Sequence, residues 1–228
     1  MANTVVLTTT IRPTVAPNLP IGPVTYSQQF MDQYSNVLRL YFNQIDNFTT
    51  GLTASDNGRY LRFPHISAYD DSNLYATSNT ATVVEFNNLV TGSGFTLNAH
   101  STATCTYTGI YKIDYSLQFA NTDNAQHDAD VWLRVNGTDV VESATRFTVP
   151  ARKSANEFAY VCGYSHVTFQ VNAGDVIGLY WATQQGATAN GSVLGIFIDA
   201  LPAETTPYAR PAIPSTIGTI TFVSGIST

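Results

Sequence analysis

The stretch Gly109-Ile-Tyr-Lys-Ile-Asp-Tyr-Ser-Leu-Gln-Phe119 decides the fold class. Tyr111, Ile113, Tyr115, Leu117 and Phe119 fall on every second position, with Lys112, Asp114, Ser116 and Gln118 between them. That is the period of an extended strand with one dry and one wet face. A helix would scatter the same apolar side chains around its circumference. Gly109 opens the strand, and the loop-forming cluster Ala120-Asn-Thr-Asp-Asn124 closes it.

The same pattern recurs on either side. Strands are expected at 66–69, 82–86, 95–97, 103–106, 110–119, 130–135, 139–141, 157–171, 175–183 and 192–200. Asn136-Gly137 predicts a tight hairpin, because both residues tolerate the positive φ such a turn demands. Asn172-Ala-Gly-Asp175 is read as a second hairpin, joining 158–171 to 176–181. Many short antiparallel strands without intervening helices predict an all-β sandwich or barrel.

The flanks read differently. Residues 1–24, broken by Pro13, Pro17, Pro20 and Pro23, predict an extended arm. Thr25 or Ser27 then offers a helix cap, and Phe30, Tyr34, Val37, Leu38, Tyr41, Phe42, Ile45 and Phe48 recur at three- and four-residue steps until Gly51 supplies a stop. Such a helix either lies on its own domain or gathers copies of the chain around a heptad seam of Phe30, Tyr34, Val37, Tyr41 and Phe48, on which Gln44 also falls. Residues 52–64 read as a linker. Pro202, Pro207, Pro211 and Pro214 predict a second arm, and 216–223 is β-prone enough to join a sheet edge of this chain or of a neighbour. The expected organisation is an anchoring arm and helix over 1–51, a β domain over 64–201 and a C-terminal arm and strand over 202–228.

Composition narrows the function. The 228 residues are 11% charged, 44% hydrophobic and 12% aromatic, with a net charge of -6, which describes a packed chain with no diffuse positive field for phosphate backbones or anionic lipid. Neither nucleic acid nor membrane is an expected partner. No apolar run suits a bilayer and the N-terminus lacks the marks of a secretory signal, so a soluble product made in a cytoplasm is expected. Cys105 and Cys162 are then expected as two buried thiols.

His65, His100, His127 and His166 have no accompanying nucleophile motif, and neither a phosphate loop nor zinc-ligand spacing occurs. No enzyme activity and no cofactor are expected. Asp123, Asp128 and Asp130 form the one loop with enough oxygen ligands for a hard cation such as calcium, against the plainer reading of solvated loop charge. Arg146, Arg152 and Lys153 gather positive charge around Pro150, suited to ion pairs with a neighbouring subunit or to ligand binding.

Four pieces, Cys105–Tyr115, Val131–Gly137, Val171–Leu179 and Ser192–Ile198, together resemble in order the globular-head domain of complement component one-q and the related tumour necrosis factor jelly roll. The resemblance covers about 64–201 and leaves the arms and helix aside. It implies an antiparallel jelly-roll sandwich that forms a tight homotrimer, with Tyr111, Tyr115, Phe119, Tyr164 and Phe169 packed about the threefold axis. The Pro-rich start, the Tyr/Phe-rich helix and the Thr-rich, Lys-poor sandwich are together similar to small virion proteins of tailed bacteriophages. That likeness implies a virion structural protein on the particle exterior, made in the host cytoplasm. Its expected role is capsid decoration or cement on the major capsid protein. The alternatives are a tail or tail-fibre component that contacts a host receptor, and a soluble lectin-like module.

Overall fold

The alternation of β6 (Gly109–Asn121) is reproduced residue by residue, each odd position from 109 to 119 buried and each even one half-exposed. A computed structural model of the chain describes residues 17–19, 21–53, 63–155 and 157–226. It divides into two units, Met1–Phe63 with Ser227–Thr228, and Pro64–Ile226. The first holds α1 (Gln28–Thr53). No helix among the described residues is long and apolar enough to cross a membrane.

The second unit is two antiparallel sheets. β1 (His65–Asp70), β3 (Asn88–Ser93), β6, β10 (Ala159–Val171), β12 (Ile196–Ile198) and β13 (Thr216–Ser224) make one, in the order β10-β6-β13-β1-β3, with β12 continuing the line of β13 along β6. β2 (Thr82–Val83), β4 (Phe95–Asn98), β5 (Thr102–Cys105), β7 (His127–Val135), β8 (Thr138–Asp139), β9 (Thr145–Val149) and β11 (Val176–Thr183) make the other, ordered β4-β5-β11-β7-β8. There β2 extends the line of β5, and β9 flanks the first half of β7.

The core lies between the sheets. Tyr111, Leu117 and Phe119 from one meet Leu133, Val131 and Trp181 from the other, all at most 1% exposed. The Phe119 ring sits 5.7 Å from Phe147 and 5.9 Å from Trp181, tilted against both. Gly163 on β10 makes room for it, because a Cβ there would stand 2.6 Å from the ring. Aromatic rings in offset contact add to the stabilisation their buried area supplies.

Several expectations change. Asn136 and Gly137 take φ of 51° and 81° and close the predicted hairpin between β7 and β8. The turn at Asn172–Asp175 also forms, with Asp175 N–H donating to Asn172 O at 3.1 Å, but it is no hairpin. β10 pairs with β6 and β11 with β7, so this turn carries the chain from one sheet to the other. β13 does not add to an edge; it fills an interior position, bonded to β1 on one side and β6 on the other. The proline-rich stretch before it, expected as an arm, carries two bridges, with Leu201 opposite Ile213 and Glu204 opposite Arg210. α1 runs past Gly51 to Thr53. The expected arm at 1–24 and the linker at 52–64 fall largely outside the described residues.

Candidate functional site

α1 starts at Ser27, whose hydroxyl accepts the Phe30 N–H at 3.3 Å, as an N-cap requires. Its first turn carries no acid and its last no base, so its dipole receives no charge support. Phe30, Tyr34, Val37, Leu38, Tyr41 and Ile45 are only half-buried, while Met31, Leu40 and Phe42 are 43%, 53% and 57% exposed. No described side chain of this helix is buried. Because the helix continues through Gly51, Leu52 joins the pattern. Met31, Tyr34, Leu38, Tyr41, Ile45, Phe48 and Leu52 then alternate steps of three and four without a polar interruption. This line lies one position round from the expected seam and avoids Gln44. Asp32, Arg39 and Asp46, seven residues apart and all exposed, follow its first, third and fifth members on the polar side. The side chain of Phe48, an expected anchoring residue, lies outside the described ones.

The expected threefold interface on the sandwich requires correction. Tyr111, Tyr115 and Phe119 are 0%, 3% and 0% exposed within one chain. The opposite sheet covers them, so no second copy is needed to take them out of water. Tyr111 further anchors its hydroxyl on Tyr107 O at 2.8 Å. Phe169 is half-buried against the same core. Of the five, only Tyr164 faces outward, 58% exposed, donating to Asp114 Oδ1 at 3.1 Å. The large apolar groups this sheet does present are Leu89, Val90, Tyr160, Tyr164, Ile217 and Val223, between 44% and 63% exposed.

Asp123, Asp128 and Asp130 are not brought together. Asp123 Oδ2 meets His127 Nε2 at 2.7 Å, Asp128 accepts from Thr148 Oγ1 at 2.7 Å, and Asp130 is held by Arg146. Among the described residues no group of three His, Cys, Asp or Glu is placed to hold a metal. The bond from His127 holds the Asp123 carboxyl below its ordinary range. The positive loop closes on its own chain, with Lys153 on Glu157 at 2.8 Å and Arg146 on Asp130 at 2.7 Å. His166 is exposed beside the Tyr164 ring.

Cys105 is buried, its thiol on Tyr107 O at 3.1 Å and pushed up chiefly by burial. Cys162 is exposed on the outer face of the other sheet, so it is no core thiol. Two carboxylates are buried, Asp70, which the sequence offers beside Asp71 only as a weaker polar candidate, and Asp199, which it does not single out. Asp70 accepts from Ser72 N–H at 2.6 Å and Asn87 N–H at 3.2 Å, tying the end of β1 to the loop before β3. Asp199 accepts the Tyr160 hydroxyl at 3.0 Å, and burial raises its carboxyl above the usual range. Each stands at the end of a strand-like run, Asp70 after Tyr69 and Asp199 after Ile198, where an acid reads as the turn that follows and not as a buried group. The chain matches no family model and no curated protein.

Proposed function

We propose that this chain is a structural protein of a bacteriophage virion, a homotrimer on the particle exterior that decorates or cements the capsid. The observation that carries the reading is α1. Its 26 residues carry an unbroken heptad stripe that no described side chain of its own unit buries. An isolated helix of that kind gains too little from propensity alone to persist in water. Copies of itself are the simplest cover, and each seam side chain fully buried in that way contributes about 1.5–3 kcal/mol. The strand orders β10-β6-β13-β1 and β5-β11-β7-β9 support a jelly roll of the complement-head and tumour necrosis factor type, a fold suited to trimeric heads. Since β13 is consumed inside the sheet, attachment to the major capsid protein falls to residues 1–24. A tail or tail-fibre position contacting a receptor is the second reading, favoured by the order of the chain, helix first and head after.

Light scattering on the full chain tests the assembly. A mass three times the 24.7 kDa of one copy is expected, and a monomer at micromolar concentration overturns it. Quantitative mass spectrometry of purified particles tests the role. A copy number comparable to the capsid protein supports decoration, a handful supports the tail, and absence removes both.

A further inference from the structure

The outer face of β7 and β11 carries a constellation that neither the core nor the helix uses. Gly178 leaves that surface bare, and the edge of the Tyr180 ring occupies the space, 3.0 Å from where a Cβ would stand. The Arg134 guanidinium carbon lies 4.2 Å from the centroid of that ring and 5.7 Å from that of Trp132. Asp139 Oδ1 accepts from both Arg134 Nε and Trp132 Nε1, the latter at 2.6 Å. One carboxylate oxygen therefore fixes the indole and the guanidinium together. Those two bonds, Arg134 first, hold the Asp139 carboxyl below its ordinary range.

One strand pair along, Arg146 grips Asp130 with two bonds of 2.7 and 2.9 Å, the two-pronged geometry that orients both planes. Between these pairs runs an open groove of about 530 Å³, floored by Trp132, Asp130, Asp139 and Arg146 and walled by the 140–145 connection. That volume lies in the range of small-ligand sites. Val141, 81% exposed on one turn of 3-10 helix, stands as an apolar rim.

The groove has unused valences. Among the described residues no donor reaches Asp139 Oδ2, and the closest approach of Arg146 Nη1 to a carboxylate outside its own pair is 3.9 Å, to Asp128. A ligand that fits offers a flat C–H face to the indole and neighbouring hydroxyls that both donate and accept. Such a ligand is a sugar ring. Charge selects among sugars, because Asp128, Asp130, Asp139 and Glu142 of the wall outnumber Arg134 and Arg146 by two, a balance that repels carboxylated sugars.

We propose that this groove binds a neutral pyranose of a glycan, its ring stacked on Trp132 and its hydroxyls held by Asp139 Oδ2 and Arg146 Nη1. The site is independent of the virion reading, since a cement protein has no need of it.

The test uses the full chain with methyl glucoside, galactoside and mannoside and N-acetylglucosamine. Glucuronate and N-acetylneuraminate serve as anionic comparators, and binding is read by saturation-transfer NMR and tryptophan emission. Of the two tryptophans, Trp181 is fully buried, so a ligand-induced blue shift reports Trp132. At least one neutral pyranoside is expected to saturate with a Kd on the order of 1 mM. Trp132→Ala abolishes the effect, Arg146→Ala lowers affinity about tenfold, the loss of one charge-assisted hydrogen bond, and Lys112→Ala on the other sheet changes nothing. Absence of saturation by every neutral sugar up to about 50 mM overturns the proposal, as does an anionic sugar binding more tightly. If Trp132→Ala unfolds, Arg146→Ala decides, and unchanged affinity in it also overturns the site.

Discussion

The sandwich and the helix are built from the same aromatic-rich alphabet and dispose of it in opposite ways. In the sandwich Tyr111, Phe119 and Trp181 are entirely removed from water by one chain, because a second sheet stands opposite. In the helix Met31 remains 43% exposed, and Tyr34, Leu38, Tyr41 and Ile45 on the same stripe are half-covered. Aromatic content therefore says nothing by itself about subunit contacts. What matters is whether a facing surface is supplied, and the second sheet supplies one for β6, whereas no described side chain of α1 is buried.

That contrast is exposed most forcefully by Phe119→Ala. Losing a fully buried ring costs about 3–5 kcal/mol, seen as an earlier urea midpoint for the sandwich while the mass of the assembly stays unchanged. A fall in mass before unfolding would return Phe119 to a subunit interface. Ile45→Asp is expected to do the reverse, leaving the sandwich transition in place and dissociating the oligomer in sedimentation, at a cost of about 1.5–3 kcal/mol per copy. Gln44→Leu sharpens the register. It leaves the association constant alone if the stripe runs through Met31, Leu38 and Ile45, and tightens it if the stripe runs through Val37.

A smaller effect concerns the outward face. Tyr160 is pushed up to about 12, by burial first and by the Asp199 charge second. An unfolded tyrosine ionises near 10.0. Between those values the folded chain keeps a proton the unfolded chain has released, so stability falls as pH rises through that window. Tyr160→Phe is expected to flatten that part of the Tm-against-pH curve. The smallest change is at the thiols. Cys162 should react with Ellman's reagent in the native protein and Cys105 only after denaturation, and Cys162→Ser should shift stability by under about 0.5 kcal/mol.

Legibility followed the dry faces. β6 announced itself because its buried residues alternate without a break, and the β7–β8 hairpin because Asn136-Gly137 has few other uses. β3 was invisible, since Asn-Leu-Val-Thr-Gly-Ser at a sheet edge buries no side chain and so leaves no period to read. β9 was hidden by its charge. Arg146 looked like loop until Asp130 appeared directly opposite it across the ladder. The sign of the error at Tyr111 and Tyr115 has the same origin, because a two-residue period tells which residues share a face and not what lies against that face. The groove at Trp132 depends on β11 and the 140–145 connection converging on β7, a long-range meeting that spacing along the chain does not encode.

The interior place of β13 bears on biosynthesis. Its neighbours β1 and β6 leave the ribosome some hundred residues or more ahead of it, and until it arrives each presents an unzipped flank able to template a stray strand. On a crowded polysome the nearest stray strand is the same segment of a sister nascent chain. A chaperone that shields β1 and β6 during that interval would thus govern yield, and a stop codon a few residues before Thr216 would leave a product that sticks to its siblings instead of closing.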